Sequence, residues 1–129
     1  MRTPLTAITV LLLCRLAVAG TVQQRLANDP AFKLYAAIFK ITQAANGSIT
    51  DVQLTPAVDV RWQQEHPTAP PKPVQVSIPK TYVAAAVKTI RAKRWPLFKH
   101  SGKPETFYTY FYYSPQLGNR VIEDVHGPE

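Results

Sequence analysis

Apolar and polar positions alternate most clearly between Thr106 and Tyr113 (TFYTYFYY), which holds four tyrosines and two phenylalanines. Aromatic residues suit a pleated surface, so this stretch predicts a strand. A period of two puts Tyr108, Tyr110 and Tyr112 on one face and Phe107, Phe111 and Tyr113 on the other. Phe32 to Gln43 (FKLYAAIFKITQ) also reads as a strand. Phe32, Leu34, Ala36 and Ile38 share one face, and Tyr35, Ala37, Phe39 and Ile41 the other. Both faces are largely apolar, as in a well-covered strand. The length and the alanines also permit a helix. Asn46-Gly47 favours the strand, because that dipeptide tolerates the positive φ of a tight hairpin turn. Ser48 to Thr55 then returns as a second strand, with a change of phase between Ile49 and Val52 that marks a bulge.

The period changes to helical after Pro79. Val83, Ala86, Val87 and Ile90 form a stripe, with Lys88 and Arg91 away from it. Pro79 opens the helix at no hydrogen-bond cost, and Pro96 forces it to end. Trp95 is expected to anchor the helix exit over Val83, Val87 and Ile90. Ser101-Gly102 then makes a turn into the aromatic strand.

The remaining segments carry weaker patterns. Thr21 to Pro30 is a polar lead-in with one helical turn at Gln23–Ala27. Pro56 to Pro73 holds five prolines; AVDVRWQQEH within it reads as a short strand or a helical turn, and PTAPPKP as an extended loop. Trp62 there either packs on the sheet or is an exposed contact. Arg120–Val125 adds a small strand or frays. The predicted fold is α+β: a small antiparallel sheet of about three strands packed on one main helix. One helix covers one face, so the other should show an aromatic row, joined by Tyr35 and Phe39. Such rows are typical of interfaces.

The first nineteen residues change the picture of the chain's destination. Arg2, the apolar run Leu5–Cys14 and the small residues Ala17-Val18-Ala19 make the three-part pattern of a secretory signal, cut before Gly20. A membrane span needs about 20 apolar residues, roughly twice this run. Lipidation at Cys14 would call for a small residue before it, and Leu13 stands there. The expected organisation is a signal at 1–19, a lead-in at 20–31, a domain at 32–115 with a proline-rich insertion at 56–73, and a tail at 116–129. Cleavage would remove the chain's one cysteine, so no disulfide holds the domain. A cysteine-free exported domain suits a periplasm, or secretion, and must be held by apolar burial.

The formal charge is +7, and Arg2 and Arg15 account for two of it. Lys88, Arg91, Lys93, Arg94, Lys99 and Lys103 lie within one acid-free segment. Such a cluster is either a solvated face or a patch for anionic envelope surfaces; export argues against nucleic acid. His66, His100 and His126 are scattered, so neither a metal site nor a cofactor is expected. Nucleophile and phosphate-binding motifs are missing, and no small-molecule substrate is implied. A small hydrolase using an isolated histidine is the weakest reading.

The order of elements carries a resemblance. Asn46-Gly47-Ser48-Ile49-Thr50-Asp51-Val52, the helix Tyr82–Arg94, the pair Arg94-Trp95 and Gly102-Lys103-Pro104 before the last strand resemble the C-terminal domain of TonB-type energy transducers. The likeness covers Phe32–Ser114, with the loop Pro56–Pro73 longer than that family's usual connection. It implies a periplasmic protein-binding module rather than an enzyme, linked to outer-membrane transport. Its partner would be a protein or extended peptide, such as an outer-membrane protein, taken up by strand addition; a homodimer would use the same means. By position the contacting residues would be Thr106, Tyr108, Tyr110 and Tyr112.

Overall fold

The computed structural model describes residues 20–95 and 103–127. The signal at 1–19, Lys99, His100 and the Ser101-Gly102 turn lie outside the described residues. The fold is mixed α and β, with a small antiparallel sheet and few helices.

Two compact units form. Among the described residues the smaller joins 20–32 with 124–127. It contains helix α1 (Val22–Asn28), where Thr21 and Gln24 make a reciprocal capping box. Gln23 N–H donates to the Val125 carbonyl at 2.9 Å, and the Arg25 guanidinium lies 4.6 Å from the Phe32 ring centre.

The larger unit, Lys33–Glu123, holds the sheet. Strand β1 (Tyr35–Gln43) is central. On one side β2 (Ile49–Leu54) pairs with Phe39–Gln43, and β3 (Ala57–Asp59) continues along the same edge against Tyr35–Ala36. Thr55 bridges the two by donating both its N–H and its hydroxyl to the Ile38 carbonyl, at 2.9 and 2.8 Å. The expected bulge is present: the register shifts at Thr42/Gln43, opposite Ile49–Asp51. Gly47 has φ 93° in the hairpin turn, a conformation that Asn-Gly supplies at little steric cost. Helix α2 (Val60–Glu65) follows β3 and is capped by Asp59, whose carboxylate accepts from Trp62 N–H at 3.3 Å. The segment AVDVRWQQEH is thus both a strand and a helical turn. The short strand β4 (Pro73–Val74) pairs with β3. Instead of about three strands the sheet has five among the described residues, because Ala57–Val58 in the insertion are apolar enough to be buried and recruit β4.

Helix α3 (Lys80–Ala92) starts after Pro79 and ends before Pro96. It covers one face of the sheet. Tyr82, Ala86 and Ile90, spaced four apart, are fully buried among Ala37, Phe39, Ile41, Phe111 and Tyr113. The stripe is therefore rotated from the expected one. Val83 and Val87 are only half-buried, and Tyr82 fills the core position nearest the helix start. Strand β5 (Glu105–Tyr113) pairs with all of β1 on its second edge, from Tyr35↔Tyr113 to Gln43↔Glu105.

Phe39 and Tyr35 do not join the tyrosine row. Phe39 is fully buried beneath α3, and Tyr35 stacks on Tyr113 with ring centres 6.4 Å apart, on the helix side. Cross-strand pairing places Ala36, Ile38 and Lys40 beside Tyr112, Tyr110 and Tyr108 instead. The apolar character of both faces of β1 hid this choice of phase.

Candidate functional site

The direction of each backbone group on β5 follows from one bridge. Tyr112 N–H donates to the Ile122 carbonyl at 2.8 Å, and Ile122 N–H donates back to Tyr112 at 3.3 Å. Tyr112 therefore points its backbone away from β1. In an antiparallel ladder this direction alternates, so Tyr110, Tyr108 and Thr106 point outward too. Glu105, Phe107, Thr109, Phe111 and Tyr113 point their backbone groups at β1. The outward N–H and C=O groups of Thr106, Tyr108 and Tyr110 meet no partner among the described residues. An exposed edge of this kind is a template for another strand.

The four expected contact residues share one face and one edge. Thr106 is exposed, Tyr108 and Tyr110 are 62 % and 54 % exposed, and Tyr112 is half-buried. The Tyr110 and Tyr112 rings meet edge-on at 5.5 Å, which stiffens the row. Beside them, on the face opposite α3, lies an open groove of about 350 Å³. Tyr110 and Tyr112 form one wall, Ala36 and Ile38 the floor, and α2 with Pro71 the other wall. Gln63 of α2 lines it; its Nε2 holds the Ala69 carbonyl at 3.0 Å, while its Oε1 is buried without a hydrogen-bond partner among the described residues. The pattern of apolar and polar positions carries no sign of this groove. Its second wall comes from the insertion, whose return onto the sheet no periodicity announces.

Trp62 is half-buried and lines a small cleft with Asp59 and Val74 at the sheet's edge. Its ring stacks on His66 at 4.3 Å, and the Lys72 ammonium lies 5.4 Å from its centre. His66 Nδ1 donates to the Trp62 carbonyl at 2.8 Å, fixing this pair within the insertion. Among the described residues no three His, Cys, Asp or Glu side chains gather as metal ligands.

The basic residues are spread around the end of α3 and the start of β5. Arg91 Nη1 donates to the Ile49 carbonyl at 3.0 Å, tying the helix to the hairpin. Lys93 pairs with Glu123 and lies 5.4 Å from the centre of the Phe111 ring. Lys88, Arg94 and Lys103 are exposed. Arg91, Lys93, Arg94 and Trp95 line a cleft of about 440 Å³ with the turn Asn46–Ser48. Trp95 anchors this corner: its indole N–H donates to the Ile90 carbonyl at 2.9 Å, and its ring lies 5.4 Å from Phe107. The indole thus adds a second donor to a helix-end carbonyl that already accepts from Lys93 N–H at 3.3 Å.

Comparison with protein-family models, curated proteins and solved structures gives no match to this chain.

Proposed function

We propose that this chain is an exported protein-binding module whose β5 edge takes up an extended segment of a partner protein by strand addition. The observation that carries this reading is the outward backbone of Thr106, Tyr108 and Tyr110, unpaired among the described residues. Natural edges are guarded by charge, proline or brevity. Between Thr106 and Tyr113 this one has neither charge nor proline, and it runs the full length of β1. Backbone hydrogen bonds supply affinity in such complexes, and side-chain pockets supply selectivity. The exposed tyrosines and the groove beside them offer apolar surface for alternate side chains of the guest. The secretory pattern of residues 1–19 supports export, and the resemblance to TonB-type domains supports an outer-membrane protein as partner.

Two proline variants test the reading. Proline removes one N–H. At position 110 the lost donor points outward; at position 109 it points into the β1 ladder. Tyr110→Pro should retain the fold by circular dichroism and lose binding of a labelled peptide of alternating valine and threonine. Thr109→Pro should unfold the sheet. A folded Tyr110→Pro protein that binds the peptide as well as the parent does would contradict strand addition at this edge.

A second reading has its own observation, the cleft lined by Arg91, Lys93 and Arg94. It would make the domain a binder of anionic envelope surfaces. Charge-driven binding weakens steeply with salt, whereas strand addition does not.

A further inference from the structure

The open window on β5 has two different ends. At one end Ile122 occupies both backbone groups of Tyr112. At the other stands Pro104, which has no N–H to offer. Thr106, Tyr108 and Tyr110 are what lies between them.

Antiparallel pairing is the slightly more stable arrangement. An antiparallel guest has a fixed polarity on this window. It enters beside Tyr110 and leaves beside Thr106, so its C-terminal side runs past Pro104 and Lys103. Guest residues directly opposite Tyr110, Tyr108 and Thr106 share the tyrosine face. The residues between them share the side of Phe107 and Thr109.

The exit end is basic. Lys103 is exposed two residues before β5 begins, and Arg94, exposed at the end of α3 beside the hairpin turn, precedes Trp95, whose ring lies 5.4 Å from Phe107 near the same end of β5. Neither Lys103 nor Arg94 has an acidic partner among the described residues. Arg91 is close by but held on the Ile49 carbonyl. Among the described residues the acids on the strands at this end are Glu105, half-buried at the first position of β5, and Asp51, exposed on β2. Glu123 follows the Ile122 bridge and is paired with Lys93, the residue before Arg94. On the tyrosine face, half-buried Lys40 sits across from Tyr108.

Resting on the strand-addition reading, we infer that the partner segment is an extended stretch of alternating apolar side chains followed on its C-terminal side by carboxylates. The core would occupy Thr106 to Tyr110, and the carboxylates would meet Lys103 and Arg94. Opposite charge across an interface fixes register and direction more than it adds affinity. Here it would select one chain polarity.

Fluorescence anisotropy with the full-length chain tests this with three labelled, end-blocked peptides. All share a core of alternating valine and threonine. One is otherwise neutral, one carries three glutamates after the core, and one carries them before it. The peptide with trailing glutamates should bind on the order of tenfold tighter than the neutral one at low salt, and about equally at 1 M salt, where screening acts within about 3 Å. The double variant Arg94→Gln, Lys103→Gln should erase that preference and leave the neutral peptide's affinity unchanged. Equal binding of all three, or preference for leading glutamates, overturns the inference and leaves strand addition standing. Failure of every peptide to bind overturns both.

Discussion

The hydroxyl of Tyr82, on the first turn of α3, donates to the carbonyl of Tyr112 on β5 at 2.8 Å. The same carbonyl accepts from Ile122 N–H at 3.3 Å. One backbone oxygen thus joins the helix, the last strand and the segment that closes the strand's outer edge. This junction sets where the open edge begins, because the outward groups of Tyr110, Tyr108 and Thr106 have no such cover among the described residues. The Tyr82 ring also meets Tyr113 edge-on at 4.9 Å.

Tyr82→Phe keeps the ring and removes the hydroxyl. The Tyr112 carbonyl keeps Ile122, so the expected cost is that of one neutral hydrogen bond, about 1 kcal/mol. A urea midpoint lowered with an unchanged slope would show it.

Burial, aided by the neighbouring Tyr113, holds the Tyr82 phenol protonated well above its ordinary value of 10.0. The folded chain therefore keeps this proton more tightly than the unfolded chain does. The linked stabilisation is fully present below pH 10 and is lost as the pH rises above it. Tyr35 is shifted the same way by burial, Asp59 and Tyr113. Stability should therefore fall above pH 10, and Tyr82→Phe should flatten that fall without abolishing it. Denaturant titrations of both proteins at pH 8 and above 10 would measure the difference.

Trp95 is half-buried, with its ring on Phe107 and its N–H on the end of α3. A fully buried tryptophan costs about 3–5 kcal/mol on truncation to alanine. Trp95→Ala should cost about 2 kcal/mol by the same measure, less in proportion to its exposure. A midpoint equal to the parent's would show that the corner is held without the indole.

The pair Lys93–Glu123 is largely exposed, at 40 % and 51 %. Such pairs contribute about 0–1 kcal/mol. Glu123→Gln should change stability by less than about 0.5 kcal/mol, because the two backbone hydrogen bonds between Ile122 and Tyr112 hold this segment. A larger loss in thermal unfolding would mean that the ion pair holds it.

Local chemistry made several elements legible. Asn46-Gly47 announced the hairpin and the change of phase its bulge; Pro79 and Pro96 bracketed the helix; the tyrosines defined β5. Long-range choices were not legible. Both faces of β1 are apolar, so only its neighbours decide that Phe39 goes under α3 and Ile38 faces out. Tyr82 reads as a polar-tipped residue at a helix start, yet it is core because Tyr112 offers its hydroxyl a partner. The groove depends on Pro71 and α2 returning to the sheet, which alternation along the chain does not encode. The lack of charge and proline between Thr106 and Tyr113 is legible as an unguarded edge. Its limits at Pro104 and Tyr112 required the Ile122 bridge.

The most direct measurement is residue-resolved amide hydrogen exchange along β5, with and without the valine–threonine peptide. An open edge requires an alternating pattern in the protein alone: slow exchange at Phe107, Thr109 and Phe111, and fast exchange at Thr106, Tyr108 and Tyr110. Strand addition requires those three fast amides to become protected when the peptide binds, while the others stay slow. Slow exchange at all six in dilute protein alone, or fast outer amides that saturating peptide leaves unprotected, would contradict a β5 edge held open for a partner.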